Sequence, residues 1–284
     1  MFFLRLISHL PLPVLYLFSD FLFFGSFYVV RYRRKMVQKN LRNAFPEKSP
    51  AELSLIEKGF FKNLCDYAVE TLKLLTISRA ELLRRMVLKN MDLPAGIARQ
   101  NRSFVVLASH QFNWEWLLVS ASADYPVPLD FVYQSVNSKF FEDVSQACRT
   151  RFGAFPIKRD EVGREMVKRR NLARAICTVA DQYPGYTQDK KYFTQFLNQE
   201  TVFFYGTNQL AILSQGPVIY YKMKRIKRGY YEAYPEIVAT PPYEKNKDVV
   251  IENYVRVVEE MIRENPSGWL WSHNRWKKRH LEQA

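Results

Sequence analysis

One stretch sets the fold and the expected chemistry: Ser103-Phe104-Val105-Val106-Leu107-Ala108-Ser109-His110-Gln111-Phe112-Asn113-Trp114-Glu115-Trp116-Leu117-Leu118-Val119-Ser120-Ala121. Residues 103–108 are a short apolar run of the kind that forms a buried strand, and residues 116–121 continue as an apolar helix. Asn113 stands where a helix N-cap is expected. Strand, sharp loop and helix together form the unit of open α/β sheets, whose sites lie at such loops. The stretch therefore predicts an α/β fold with a site at this loop.

His110 and Glu115 are the groups of this stretch that suit proton transfer. On a single helix their spacing would put them about 140° apart. They meet only if His110 lies on the loop and Glu115 lies in the first helical turn, where the helix dipole keeps the carboxylate ionised. A carboxylate beside an imidazole fixes its tautomer and raises its basicity, as a general base requires. The alternative is a histidine that merely caps a buried loop.

Composition bounds the class of protein. The 284 residues suffice for one large domain or two small ones, and the formal net charge is +14. A basic surface suits nucleic acid, anionic lipid or an acidic protein. The chain has three cysteines, Cys65, Cys148 and Cys177, an odd number that argues against a disulfide framework and fits a reducing compartment.

The N-terminus points to a membrane. Residues 10–30 are almost entirely apolar and long enough to cross about 30 Å of hydrocarbon. Asp20 at the bilayer centre would cost about 2.5–3.5 kcal/mol, a cost that a helix lying in the interface avoids. The basic run from Arg31 to Arg42 suits the cytoplasmic side of an anionic membrane. We expect residues 1–30 to be a spanning anchor or an interfacial helix, with a buried core helix as the alternative.

The remaining chain alternates between strand and helix patterns. Apolar periodicity predicts helices at 49–75, 78–89, 137–151, 161–170, 206–214 and 249–264, strands at 129–134, 155–157 and 175–180, and a hairpin at 217–234. The expected architecture is a mixed, largely parallel central sheet flanked by helices. Asp181 and Gln182 follow a buried strand, as His110 does, so they are expected at a carboxyl end of the sheet.

Several stretches resemble the bacterial lipid A late (secondary) acyltransferases of the lauroyl/myristoyl type, within the lysophospholipid acyltransferase-like superfamily. His110 and Glu115 match that family's His-x4-Asp/Glu motif. The segment 133–137 resembles its Tyr-Arg pair followed by an Asn, although Gln134 replaces the basic residue. Asp181-Gln182 matches its Asp-Gln pair, and the segment 196–206, which contains Thr201, resembles its Phe-Phe-Gly…Thr…Gly stretch. Residues 266–277 match its Pro-x-x-Trp-x-Trp-x-His-x-Arg-Trp-Lys signature, whose tryptophans are expected to pack against lipid or core.

The resemblance covers about residues 25–278 and implies an O-acyltransferase, with residues 31–284 as its catalytic domain. The fold implied is glycerolipid acyltransferase-like. His110 would be the general base and Glu115 would orient its ring. An oxyanion would be stabilised by backbone N–H groups of residues 110–114 or by Asn113. The residues implied in substrate binding are Asn113, Trp114, Gln134, Asn137, Asp181, Gln182, Thr201, Arg275 and Lys277.

The same resemblance implies partners and location. The donor would be an acyl thioester on acyl carrier protein or coenzyme A, and the acceptor would be a hydroxyl of a lipid A precursor. We expect no cofactor or metal, no nucleic acid, and a monomer on the cytoplasmic face of a Gram-negative inner membrane. Two alternatives stay open: the same chemistry on a lysophospholipid, aminolipid or other glycolipid, and a non-catalytic basic protein that binds membrane or nucleic acid.

Overall fold

A central β-sheet organises the chain. The computed structural model describes residues 1–136, 138–185, 190–245 and 247–277, and all statements of structure refer to these. The strands are β1 (Met86–Leu88), β2 (Phe104–Ala108), β3 (Leu129–Tyr133), β4 (Phe155–Lys158), β5 (Ala175–Val179), β6 (Lys191–Phe196), β7 (Gln199–Phe204), β8 (Val218–Lys227) and β9 (Tyr230–Ala239). Within the described ranges, β6 and β7 form a separate antiparallel hairpin and the other seven strands form one sheet.

The sheet is mixed and mostly parallel, which confirms the predicted fold class. Its strand order is β1-β9-β8-β2-β5-β3-β4. Neighbouring strands run parallel except β8 and β9, which form the predicted hairpin. β2 lies in the middle, and all its residues are buried. A strand covered on both faces reads as a continuous apolar run, which is why the pattern of residues 103–108 predicted it.

Helices cover both faces of the sheet. They are α1 (Phe2–Ser8), α2 (Leu12–Phe24), α3 (Arg34–Ala44), α4 (Pro50–Lys73), α5 (Arg79–Arg85), α6 (Asp92–Arg99), α7 (Trp114–Asp124), α8 (Lys139–Arg149), α9 (Val162–Lys168), α10 (Gly206–Ser214) and α11 (Val249–Glu264). A π-helical segment, Gly25–Val29, continues α2, and 3₁₀ turns occupy Arg159–Glu161 and Pro266–Gly268. Ser49 caps α4 in a capping box with Glu52.

The alternation of side chains along β2 divides the core in two. Val106 and Ala108 pack with α7, on what we call the α7 face. Val105 and Leu107 pack with α10 and α11 on the opposite α11 face. Because successive strand residues point to opposite faces, the same division holds along the neighbouring strands. The carboxyl ends of the parallel strands form the edge of the sheet that borders both faces.

The apolar N-terminal helix is present and lies along the body. Leu12–Val29 is long and apolar enough to cross a membrane. One side of α2, including Leu15, is buried against α4, while Leu17 and Phe21 on the outer side are 69% and 74% exposed. Asp20 forms an ion pair with Arg228. The division of the chain at residue 30 stays a prediction.

One predicted helix is wrong in part. The basic amphipathic pattern predicts a single helix over residues 78–89, but the helix ends at Arg85 and residues 86–88 form β1. Met86 is fully buried, and the segment pairs with β9. Its backbone gains a sheet partner that local periodicity does not reveal. The β6–β7 hairpin was likewise not predicted from periodicity.

Candidate active site

The site begins at the carboxyl ends of two adjacent parallel strands. Ala108 of β2 lies opposite Val179 of β5 in the sheet register. The two loops therefore leave the sheet side by side. His110 and Asp181 each stand two positions beyond the last paired residue, which brings them together at the edge where open α/β sheets carry their sites.

Asp181 holds the imidazole of His110. Its Oδ1 lies 2.7 Å from His110 Nδ1, and its Oδ2 accepts the backbone N–H of His110 at 3.0 Å and the indole N–H of Trp269 at 2.7 Å. Burial raises the pKa of Asp181, but the charge of His110 and these hydrogen bonds outweigh it, and the net pKa is lowered. An ionised carboxylate only accepts, so Nδ1 carries the proton and Nε2 is the basic nitrogen.

Glu115 does not contact His110, so that expected pairing is wrong. Both oxygens of its buried carboxylate accept from the guanidinium of Arg149, at 2.8 Å and 2.5 Å. Glu115 does lie in the first turn of α7, as expected, but there its side chain is directed toward α8. Arg149 stands at the end of α8, so the ion pair joins the two helices. The carboxylate that orients the base comes from β5 instead.

Asn113 is a structural residue, which corrects its expected role in substrate binding. Its side chain is fully buried. Its Oδ1 caps α7 by accepting the N–H of Trp116 at 2.9 Å, as the sequence predicts. Its Nδ2 donates to Glu70 at 2.7 Å, and Glu70 also accepts from the hydroxyls of Tyr16 and Tyr231. The amide is buried and lies outside the lining of the cavity beside His110, so it is not placed to bind an oxyanion there.

The C-terminal signature fixes the histidine loop. Phe112 adopts a positive φ of 46°, a conformation uncommon outside glycine. Its N–H donates to the carbonyl of Gly268 at 2.8 Å, and Gln111 forms an isolated antiparallel bridge with Trp269. A side chain at position 268 would meet the Phe112 ring at 2.7 Å, so this close approach needs glycine. The signature acts as a clamp on the loop that carries His110.

The tryptophans of the clamp are core residues rather than a lipid wedge. Trp269 and Trp271 are buried and meet edge to face, with ring centroids 4.8 Å apart. Trp276 is partly buried and donates its indole N–H to Thr201 Oγ1 at 2.8 Å. Thr201 is therefore buried and engaged within the fold. It does not line the cavity beside His110, and its expected contact with substrate stays a prediction.

Arg275 is buried and His273 is partly buried, and both lie near the His110–Asp181 pair. Arg275 is almost fully buried, lies 4.3 Å over the ring of Phe203, and has no hydrogen-bond acceptor for its guanidinium in the part of the chain that the structure describes. Burial lowers its pKa to about 10, against the opposing charge of Asp181. Burial likewise lowers the pKa of His273 to about 4, helped by the charges of Arg275 and His110. Arg275 lies outside the cavity lining, and its expected substrate contact stays a prediction.

A large cavity opens beside His110. Its volume is about 1130 Å³, and most of its lining is apolar. Three of the expected substrate-binding residues, Trp114, Gln134 and Gln182, line it together with His110. The Trp114 indole stacks on Tyr67, with ring centroids 4.1 Å apart, and meets the His110 ring edge to face at 5.0 Å. The geometry suits a long apolar substrate whose polar end reaches the base.

Two further expected substrate-binding residues are Lys277 and Asn137. Lys277 lies with its ammonium 4.9 Å from the ring centre of Tyr183, a residue of the cavity lining. Asn137 lies outside the described residues, and its expected role stays a prediction.

The backbone N–H groups of His110, Gln111 and Phe112 all donate hydrogen bonds within the protein, so they are not available as oxyanion donors.

Sequence reasoning missed three residues that shape the site. Trp269 donates to Asp181, Glu70 holds the cap of α7, and Arg149 pairs with Glu115. The pairing of His110 with Asp181 could have been predicted from the sequence. Each residue follows a buried strand, and the carboxyl ends of parallel strands lie at the same edge of the sheet. No local signal places Glu70 or Arg149, because their partners are distant in the chain.

Fold and site together place a paired histidine and carboxylate at the carboxyl edge of a mostly parallel sheet, beside a large apolar cavity. The family model of the bacterial lipid A biosynthesis acyltransferases matches residues 1–278, and the chain belongs to that family. It is therefore an acyltransferase of lipid A biosynthesis. A comparison with curated protein sequences gives no match.

Proposed function

We propose that the protein transfers a fatty acyl chain from an acyl thioester to a hydroxyl of a lipid A precursor, with His110 as general base. The observation that carries this proposal is the buried Asp181 carboxylate on His110 Nδ1, beside a cavity large enough for acyl chains. The apolar lining suits a saturated chain of the lauroyl or myristoyl type. Neither a metal nor a covalent acyl-enzyme is needed for this reaction.

The steps follow from the protonation states. His110 Nε2 takes the proton of the acceptor hydroxyl as its oxygen attacks the thioester carbon. Asp181 stabilises the imidazolium that forms, and the tetrahedral oxyanion develops on the former carbonyl oxygen. Collapse breaks the C–S bond, and the leaving thiolate takes the proton from His110. The products are the acylated lipid and the free thiol of the carrier.

The N–H groups of Trp114 and Glu115 are our proposed oxyanion donors. They open α7, where amides have no partner within the helix and the dipole is positive. Both residues line the cavity next to His110. Glu115 is then a positioning residue, because its ion pair with Arg149 fixes this helical turn against α8.

We further propose that the protein works on the cytoplasmic face of the inner membrane with acyl carrier protein as donor. The outer side of α2 exposes large apolar residues, as an interfacial helix does. The ion pair between Asp20 and Arg228 holds α2 on the body, which favours an interfacial over a spanning arrangement. The net charge of +14 suits both anionic lipid and an acidic carrier protein.

The test is a reconstituted reaction in mixed micelles. Purified protein, a lipid A precursor and either acyl carrier protein or coenzyme A thioester should give a product heavier by one acyl group in mass spectrometry. The carrier-bound donor should give the higher kcat/KM. His110→Ala should form no product while retaining the thermal melting profile of the parent protein. Product formation by His110→Ala at more than a tenth of the normal rate would refute the mechanism.

A further inference from the structure

The cavity beside His110 has two arms, one on each face of the sheet. Along β5 and the residue after it, Cys177 and Val179 line the cavity from the α7 face, while Thr178 and Ala180 line it from the α11 face. The cavity therefore wraps over the carboxyl edge of the sheet, where His110 lies. We call the two parts the α7 arm and the α10 arm, after the helices that form their walls.

The α7 arm extends into the core. It reaches Val106, in the middle of β2, and Tyr221 of β8, both of which are buried. Leu117 and Ala121 of α7 and Cys148 of α8 line its inner part, and they too are buried. Such an apolar pocket fits one unbranched chain whose reacting end lies beside His110.

The α10 arm is more open and ends among cations. Apolar side chains from β3, α9 and α10 line it, including Val132, Val162 and Leu210. Leu213, also in its wall, is 52% exposed, so this arm opens to the surface along α10. Three basic residues line the same arm: Arg159, Lys190 and Lys245. An apolar groove that ends among cations matches a lipid chain attached to a phosphorylated headgroup.

We propose that the α10 arm binds an acyl chain of the acceptor lipid while the α7 arm holds the chain of the donor. This inference rests on the proposed function, in which two lipid chains must meet at one base. The cavity of about 1130 Å³ exceeds the roughly 300–1,000 Å³ typical of a single small-molecule site. With one chain on each face of the sheet, the reacting hydroxyl and thioester meet at the edge, beside His110.

Gly163 offers a direct test of the α10 arm. It lines this arm from α9, and a Cβ atom built on it meets no atom within 4 Å. Gly163→Leu should therefore add a side chain at the wall of the arm, and leucine is also a better helix former than glycine. The readout is the Kd of the acceptor, measured by titration into mixed micelles without any donor. We expect it to rise about tenfold, since each buried methylene displaced contributes roughly fourfold.

A matched substitution in the α7 arm distinguishes the donor site from the acceptor site. Ser145 of α8 lines the α7 arm, and Ser145→Leu should leave the acceptor Kd unchanged while shifting donor preference toward shorter chains. Gly163→Leu should leave donor chain-length preference and donor KM unchanged. A raised donor KM in Gly163→Leu would instead assign this arm to the thioester carrier and overturn the proposal.

A second variant in the α10 arm controls for misfolding of Gly163→Leu. Leu213 is largely exposed, so Leu213→Asp should fold normally yet weaken acceptor binding in the same way as Gly163→Leu. Acceptors with identical sugar phosphates and shortened chains should lose less affinity in both variants than full-length acceptors do. Equal affinity of all three proteins for the full-length acceptor would refute the arm assignment. Absence of any acyl transfer by the parent protein would refute the proposed function alone, since acceptor binding is measured without the reaction.

Discussion

At the scale of single residues, the site depends on the carboxylate of Asp181, which is fully buried and still ionised. Asp181 retains its charge because it accepts from the backbone and ring of His110 and from the indole of Trp269. Each of these hydrogen bonds lowers the pKa of Asp181, against the burial that raises it. A carboxylate in this setting fixes the histidine tautomer, as the acidic member of a catalytic triad does.

His273 provides a pH-dependent stability change. Its folded pKa, lowered to about 4 by burial and by the charges of Arg275 and His110, lies below the ordinary value near 6.5. Between these values the unfolded chain binds a proton that the folded chain excludes, so the free energy of unfolding falls as pH falls. The loss is at most about 1.4 kcal/mol per pH unit. Urea denaturation at pH 7 and pH 5 should show a smaller difference in His273→Gln than in the parent protein; an equal difference would exclude this role.

At the scale of elements, two contacts hold the site in place. Tyr254 of α11 accepts the N–H of Ala180 at 3.1 Å and donates to the carbonyl of Ala108 at 2.9 Å, which ties together the ends of β2 and β5. Glu70 of α4 fixes the N-terminus of α7 through Asn113. Burial raises the pKa of Glu70, against the three hydrogen bonds that it accepts from Asn113, Tyr16 and Tyr231.

Substitutions at Glu70 should distinguish the contribution of its hydrogen bonds to stability from the contribution of its charge. Glu70→Ala leaves buried donors without an acceptor and should lower the free energy of unfolding by about 2–4 kcal/mol. Glu70→Gln keeps an acceptor and removes the buried charge, so it should cost less than about 1 kcal/mol. Chemical denaturation measures both values. If Glu70→Gln is as unstable as Glu70→Ala, the ionised form is required and this account of Glu70 is wrong.

The sequence predicted most elements because their signals are local. The buried run at β2, the Asn113 cap and the periodicity of α11 (Val249–Glu264) all depend on neighbours within a few residues. What it could not predict depends on distant partners. β1 forms only because β9 lies beside it, and Glu115 turns to Arg149 because α8 packs there. The His110–Asp181 pair could have been predicted, because β2 and β5 are both short apolar runs that are followed by polar residues.

At the scale of the whole molecule, the exposed apolar residues of the N-terminal helices form the surface that we propose meets lipid. The exposed apolar residues of α1 and α2 lie on the first helices of the chain, and exposed basic residues such as Lys35 and Arg42 follow on α3. The buried side of α2 continues into the core of the body through Leu12 and Leu15. The proposed membrane surface is therefore connected to the candidate active site, because Glu70 links Tyr16 of α2 to the cap of α7.

Charges placed on the exposed side of α2 should release the protein from membranes. Leu17→Glu combined with Phe21→Glu removes two large apolar contacts and should weaken binding to anionic vesicles by more than tenfold, measured by flotation. The fold should persist, because both side chains are exposed. Val167→Glu on α9 is the matched control, since Val167 is 60% exposed and α9 packs near α10 and β4 rather than α2. Unchanged flotation of the double variant would exclude α2 as the membrane surface.

The most direct test of the central claim compares kcat for Asp181→Asn and Glu115→Gln in single turnovers with saturating donor and acceptor. If Asp181 orients the base, Asp181→Asn should lower kcat by about 10²–10⁴-fold, because an amide no longer fixes the tautomer or stabilises the imidazolium. Glu115→Gln should lower kcat by less than about tenfold, because its carboxylate is bonded to Arg149 and not to His110. The reverse order, with Glu115→Gln the more damaging and Asp181→Asn nearly normal, would contradict the account.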